Sequence, residues 1–274
     1  MARTASVLTH RYRDGRLTRA PDQLVVEEPM AIHLDDTLVT TTMRTPGHDF
    51  ELATGFCFTD GLLAGAEVVG CRYCSPGGNG ASAADLDFNV VTVDTGGQAP
   101  VPEPRLVPTS SSCGLCGSAS LDELCDRLSP IESGEPFPLD VLAGIPERVG
   151  ARQELFGVTG AVHAAAAVDR DGEPVLVRED IGRHNAVDKV VGHFVLGGAV
   201  LPASHLALWV SGRASFEMVQ KAWAAGFAAL VAVSAPSALA VDTARAAGIT
   251  LAGFARDGRM NLYAPEELPT GLGV

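Results

Sequence analysis

The sequence predicts an α/β protein in two parts: a smaller β-rich α+β unit over residues 1–104 and a larger α/β unit over residues 105–274. Three observations predict it. A chain of 274 residues is near the size at which a single core divides. Its second half alternates apolar runs of strand length with helical patterns, as βαβ units do. Between the two patterns lies a proline-rich connector with Gly96-Gly97, Pro100, Pro102, Pro104 and Pro108.

In the first part, residues 24–32 and 37–44 alternate moderately and predict a hairpin around Asp35-Asp36. Pro46-Gly47 breaks the chain, and an amphipathic helix is expected over 49–63. Residues 75–84 are small and glycine-rich and predict a loop, and residues 86–93 alternate as a half-buried strand. Beyond the connector, helices are expected over 119–128, 139–148, 184–196, 214–225 and 237–247. Strands are expected over 163–168, 174–178, 206–210, 229–233 and 250–254. Asp171-Gly172 joins the first two as a hairpin. The later strands are separated by helices, which requires right-handed crossovers and parallel pairing. The sheet therefore begins antiparallel and continues parallel.

Composition excludes several classes. Apolar residues make up 46% and mean hydropathy is +0.18, too apolar for a disordered chain. A net charge of −13 argues against non-specific nucleic-acid binding, which neutralises phosphates. The basic residues are 18 arginines and only two lysines, Lys189 and Lys221, for which a GC-rich genome is the simple cause. Residues 1–19 hold five arginines and no apolar run, unlike a secretory signal. Residues 190–212 and 222–241 lack charged side chains, but Gly197-Gly198, Pro202 and Pro236 interrupt them. They suit covered strands and helices of an α/β core better than membrane spans. Six cysteines without a sign of export point to reactive or metal-binding thiols rather than disulfides.

The sharpest local feature is Ser110-Ser111-Ser112-Cys113-Gly114-Leu115-Cys116-Gly117. Glycine leaves the backbone uncovered, and a helix expected just beyond would lower a nearby thiol pKa. A second pair, Cys71 and Cys74, makes a structural zinc site an alternative, although 38 residues separate Cys74 from Cys113, wider than zinc-ribbon spacing. Cys57 and Cys125 fall on apolar helix positions and read as core. His163 reads equally as a satisfied strand histidine and as a pocket histidine. The H-x-E of zinc deaminases is missing there, because Ala165 stands where the glutamate would, and the C-x-x-C precedes the histidine.

Three strand ends deliver polar turns into helix starts: Arg178 to Asn185, Ser211 to Ser215, and Ser234 to Ser237. Helix N-termini bind anions, and ligands of α/β sheets collect beyond the carboxyl ends of the strands. Together the turns favour a pocket for a phosphate-bearing ligand. His184 and Asp188 stand four apart and are expected to pair on one helix face, as catalytic partners or as a surface ion pair. Asp257-Gly258 marks a tight turn flanked by Arg256 and Arg259, either forks for phosphate or a guanine edge, or solvated arginines of a hairpin. No P-loop or dinucleotide glycine frame is present.

These segments strongly resemble the FdhD/NarQ family of formate dehydrogenase accessory sulfurtransferases, over about residues 24–263. The likeness rests on S-S-S-C-G-L-C-G at 110–117, T-G-A-V-H-A-A-A at 159–166 and R-E-D-I-G-R-H-N-A-V-D-K at 178–189. S-G-R-A-S-F-E-M-V-Q-K-A at 211–222, S-A-P-S-A-L-A-V at 234–241 and F-A-R-D-G-R at 254–259 complete it. The resemblance implies a cytoplasmic homodimer whose C-terminal part is a cytidine-deaminase-like three-layer domain with a mixed sheet. It implies a sulfur carrier that accepts sulfur from a cysteine desulfurase as a persulfide on Cys113, with Cys116 its partner. The sulfur would pass to the Mo-bis(molybdopterin guanine dinucleotide) cofactor, bound as substrate before insertion into formate dehydrogenase. By match, Phe254, Ala255, Arg256, Asp257, Gly258 and Arg259 are the cofactor-binding segment, with Arg183, Arg213 and Ser211 as further candidates. GDP would be a partial mimic of that ligand. No metal is required, and the Cys71/Cys74 pair departs from the pattern. The rival classes are a zinc-binding structural module and a thioredoxin-like dithiol oxidoreductase, although the pair follows a proline-rich connector rather than preceding a βαβ helix.

Overall fold

The computed structural model describes residues 1–73, 88–102, 117–132, 134–198 and 201–266, with the backbone alone for 117–120. The loop expected over 75–84, the first residues of the strand expected over 86–93 and the end of the connector lie outside them.

The chain opens with a two-stranded hairpin, β1 (Thr4–Arg13) and β2 (Arg16–Val25), turning at Asp14-Gly15 with positive φ at both. The sequence shows no strand signal over most of this hairpin, because neither face is covered: Leu8, Tyr12 and Leu17 are all exposed. The strand expected over 24–32 accordingly divides, with β2 ending at Val25 and β3 (Glu28–Leu34) beginning afresh. β3 pairs antiparallel with β4 (Thr37–Arg44) around Asp35, as expected. α1 (Asp49–Thr59) follows and stops before Gly61, whose φ of +76° ends the helix earlier than expected. β5 (Gly70–Tyr73) and β6 (Val90–Asp94) complete a sheet ordered β4-β3-β6-β5, in which β3 and β6 run parallel. Met30, Ile32, Leu34, Val91 and Val93 pack beneath Leu52, Ala53 and Cys57 of α1.

In the second part come α2 (Gly117–Arg127), α3 (Leu139–Gly150) and α4 (Glu154–Thr159). The hairpin β7 (His163–Val168) and β8 (Pro174–Asp180) follows, then α5 (Arg183–Leu196), β9 (Ala207–Val210) and α6 (Phe216–Ala225). β10 (Ala229–Ala232), α7 (Ala238–Ala247), β11 (Thr250–Arg256) and β12 (Arg259–Ala264) complete the described chain. The six strands form one sheet ordered β12-β11-β10-β9-β7-β8. β9, β10 and β11 are parallel and the rest antiparallel, the mixed sheet the sequence predicts plus an antiparallel edge strand. One face, with Ala166, Trp209, Val231 and Ala252, packs under Leu142, Ile145 and Val149 of α3. The other, with Ala167, Leu208, Leu230 and Leu251, packs under α5, α6 and α7. Helices thus cover both faces, which is why these strands are continuous apolar runs. The likeness to cytidine deaminases rests on the resemblance alone.

α1 lies between the four-stranded sheet and α5. The two helices cross with backbone touching backbone: a Cβ on Gly55 would stand 1.9 Å from the Asp188 carbonyl oxygen, and one on Gly192 1.8 Å from that of Glu51. Around this crossing the charges are buried. Arg44 is fully buried and donates to Asp49, Glu28 and Asn89 at 3.1, 3.1 and 2.9 Å. Lys189 Nζ meets Asp180 Oδ2 at 2.7 Å and donates to the Thr45 carbonyl at 3.0 Å. Lys221 Nζ meets Asp188 Oδ1 at 2.8 Å, donates to Thr59 Oγ1 at 2.9 Å and lies 3.5 Å from Asp60. Burial opposes the Lys221 charge, but Asp188 and Asp60 outweigh it and hold its pKa above the ordinary lysine value. Both of the chain's lysines therefore tie α5 and α6 to the N-terminal part.

Removing one member of such a pair strands the other. Lys221→Met is expected to cost about 3–5 kcal/mol, because Asp188 would stay buried without its cation. Lys221→Met with Asp188→Leu is expected to recover much of that loss. Urea unfolding of the two variants checks it, and equal midpoints for single and double variants would refute it.

Candidate functional site

The carboxyl ends of the parallel strands share one edge of the large sheet with the start of β7 and the end of β8, which run antiparallel to their neighbours. A cavity of about 680 Å³ opens at this edge, within the range of small-ligand sites. His163 at the start of β7, Ile181 after β8, Ser211 after β9, Val233 after β10, and Ala255-Arg256 at the end of β11 all line it. Trp209 of β9, Pro146 of α3 and Phe156 of α4 form apolar and aromatic walls. α4 is held in place by Glu179, whose buried carboxylate accepts from the Leu155 and Phe156 N–H groups at 2.8 Å each.

α5, α6 and α7 begin on the same edge, after Gly182, Ser215 and Ser237. The loops that precede α6 and α7 are knitted together, with Ser234 N donating to the Gly212 carbonyl and Ser237 N to that of Ala214. Buried N–H donors here that lack a hydrogen-bond partner among the described residues include Arg183 Nε and Trp209 Nε1. Unpaired buried donors are costly, so they suit a site that an acceptor-bearing ligand completes.

His163 is the cavity histidine, not a satisfied core residue. Its Nδ1 lies 3.3 Å from Ser211 Oγ, which also accepts from Ala164 N at 3.0 Å. Partial burial, then the neighbouring Arg183 guanidinium and His184, push its pKa below the ordinary histidine value.

The predicted site residues divide as follows. Ser211, Ala255 and Arg256 line the cavity, and Arg183 stands next to it, its Cδ 3.8 Å from where a Gly212 side chain would begin. Arg213 is exposed. Asp257 and Gly258 form the β11–β12 turn with φ of 52° and 66°, and Arg259 is 82% exposed beside Asp257 at 3.8 Å. The hairpin reading thus fits Arg259, while Arg256 alone of the two reaches the cavity. Phe254 holds φ +54° at a bulge between β11 and β12, a strained position for a bulky residue, and is 39% exposed. Cys113, Cys116 and Cys74 lie outside the described residues, so the zinc alternative is untouched by this geometry.

Two expectations are corrected. His184 meets Glu217 of α6 at 3.9 Å, not Asp188, and Glu217 is held down to about 2, chiefly by its bond to His184. Asp188, one turn further along α5, is buried and also meets α6, where Lys221 holds it. Cys125 is exposed rather than core, because α2 buries Leu124 and leaves the next residue outside. Cys57 is buried as expected, and burial pushes its thiol pKa up. The aromatic walls and the Glu179 brace went unread in the sequence. Only the R-E-D-I-G-R segment, which contains Glu179, marked the region.

A second hollow of about 260 Å³ lies at the opposite sheet edge, lined largely by apolar side chains such as Phe137, Leu139, Ile249 and Leu262.

The profile of the FdhD/NarQ family matches residues 25–268. The chain belongs to the FdhD/NarQ family. The match begins where β2 ends, so the family pattern covers both large sheets and the cavity and leaves the N-terminal hairpin outside. Curated relatives agree. A protein of Anaeromyxobacter dehalogenans (strain 2CP-C) named sulfur carrier protein FdhD is 48% identical over 93% of this chain and 90% of its own length. One of the same name from Corynebacterium efficiens is 47% identical over 90% of each chain. Among solved structures, a Desulfotalea psychrophila protein, provisionally described as a formate dehydrogenase accessory protein, superposes with a TM-score of 0.71. It covers 97% of this chain and 99% of that one at 24% identity, which establishes the shared fold. No helix among the described residues is long and apolar enough to cross a membrane.

Proposed function

We propose that this protein is a sulfur carrier that serves a formate dehydrogenase. The observation that carries the reading is the 47–48% identity, over at least nine-tenths of this chain, to proteins named sulfur carriers. The carrier group is Cys113. Its thiolate attacks the outer sulfur of a cysteine desulfurase persulfide; the new S–S bond forms as the donor's cysteine leaves as a thiolate. Once the acceptor is bound, Cys116, three residues on, displaces hydrosulfide from the Cys113 persulfide, closing a disulfide that a cellular thiol reductant reopens. Two of the described thiols are poor rivals, because burial pushes Cys57 and Cys71 upward.

The acceptor is the Mo-bis(molybdopterin guanine dinucleotide) cofactor, taken as substrate at the carboxyl-edge cavity. Arg256, the unpartnered Arg183 Nε and the helix starts after Ser215 and Ser237 suit its phosphates. The walls of Trp209 and Phe156 suit a flat bicyclic ring. With the chain at −13, anion binding depends on this local cluster.

GDP, a partial mimic of such a ligand, tests the pocket. Charge-assisted bonds contribute about 1.5–3 kcal/mol, so Arg256→Ala is expected to weaken GDP roughly tenfold to a hundredfold by calorimetry. Arg16→Ala, an exposed position outside the cavity lining at the start of β2, is expected to leave it unchanged. Equal affinities for the two variants would remove the nucleotide from this cavity.

A further inference from the structure

One titratable side chain of the cavity takes no part in holding the phosphates. His163 stands on its wall, and its ring nitrogens are unequal. Ser211 Oγ already accepts from the Ala164 N–H at 3.0 Å, so its own hydrogen is the one left to give. The acceptor in reach is His163 Nδ1 at 3.3 Å. Were Nδ1 protonated, Ser211 would accept twice and its hydrogen would have no described partner. Full satisfaction therefore puts the ring proton on Nε2. Nε2 itself makes no hydrogen bond among the described residues, which leaves an N–H donor at the cavity wall beside the unpartnered Trp209 Nε1. Gly212 lies on the Nδ1 side of the ring, where a Cβ would make ordinary contact at 3.7 Å from Nδ1 and 3.8 Å from Cε1. Burial, then the nearby Arg183 guanidinium and His184, push the ring's pKa below the ordinary histidine value, which disfavours the charged form that a phosphate clamp needs.

We propose that His163 is the residue that selects the heterocycle in this cavity, donating from Nε2 to the ring oxygen of an oxo-substituted bicycle of the guanine or pterin class. The inference rests on the reading that the cavity takes a nucleotide-like ligand, and it deepens that reading. A neutral donor among aromatic and apolar walls matches a ring carbonyl. It mismatches an adenine-type ring, whose amino group would face the N–H as a second donor. A site that hydrogen-bonds one substituent rejects the analogue lacking it, because a buried polar group is left unpaired.

Calorimetry with GDP, inosine diphosphate and ADP tests this. Wild-type protein is expected to bind GDP and inosine diphosphate, which share the ring oxygen, at least tenfold more tightly than ADP. His163→Ala is expected to weaken GDP about tenfold and leave ADP where it was, and His163→Gln, which keeps an N–H donor, to restore most of the preference. A merely structural role would lower all three nucleotides together and leave their ratio intact, and that result overturns the proposal. So does a wild-type protein that binds ADP as tightly as inosine diphosphate, a comparison that needs no variant to fold. Wild-type protein that binds none of the three would remove the nucleotide reading and this inference with it, whereas GDP binding that ignores His163 would remove this inference alone.

Discussion

Cys113→Ala protein is expected to gain no transferable sulfur when incubated with a cysteine desulfurase and cysteine, and to leave formate dehydrogenase without activity. Wild-type protein should instead gain the mass of one sulfur atom on the peptide that carries Cys113. The sulfane sulfur needs a thiolate to accept it. In the sequence Cys113 is flanked by small residues, serines at 110–112 and glycines at 114 and 117. Cys125 makes the control demanding. It is a free, exposed thiol, so it is open to adventitious sulfur, and whole-protein mass would count both. Peptide mapping separates them: Cys125→Ala is expected to load and deliver as wild type does. Arg256→Ala should also load, since the donor need not touch the nucleotide cavity. A Cys113→Ala chain that still delivers sulfur would refute the assignment. A Cys113→Ala chain with a shifted urea midpoint would mean that the residue also holds the fold.

The second large effect concerns architecture. Gly192→Ala is expected to destabilise the protein by about 4 kcal/mol or more, at the far end of what single substitutions do. The new methyl would lie 1.8 Å from the Glu51 carbonyl oxygen and 2.8 Å from Gly55 N. Both are backbone atoms of α1, so no side chain can swing aside and the helices must part. Parting them also pulls on the contacts of Lys221 with Thr59 and Asp60 and of Lys189 with the Thr45 carbonyl, which join the second part to the first. Helix propensity works the other way, since alanine in a helix is favoured over glycine by about 1 kcal/mol, too little to offset the clash. Gly144 in α3 provides the contrast. Nothing lies within 4 Å of the Cβ it would gain, so Gly144→Ala is expected to be neutral or slightly stabilising. Chemical denaturation of the two variants compares them directly, and similar midpoints would show that α1 and α5 do not meet as described.

Much of the fold was legible because it was local. Glycine and serine at the ends of α6 and α7, and the apolar runs of β9, β10 and β11, mark βα units wherever they occur. Elements without one buried face were not legible. The β1–β2 hairpin is exposed on both faces and has no alternation to read, β5 spans only Gly70–Tyr73, and the six-residue α4 is too short for a helical period. Asp188 shows the same limit in a single residue. Spacing along α5 pairs it with His184, but the α5 face that carries it turns toward Lys221 on another helix.

By itself the sequence determined the α/β class, the order of elements from β7 to β11, the polar turns at three strand ends and the two thiols at Cys113 and Cys116. Each is a property of neighbouring residues, and backbone periodicity and turn chemistry act over a few residues. Only the tertiary structure decided that β3 pairs parallel with β6, and that both lysines are buried as ties between the two parts. It also decided that Arg256 rather than Arg259 reaches the cavity, and that His163, Ser211 and Trp209 share a wall with Phe156. A pattern records that a face is covered, not what covers it. Which distant residue supplies the cover, the counter-charge or the ring-facing donor follows from packing the whole chain into the least space that leaves few buried charges unpaired.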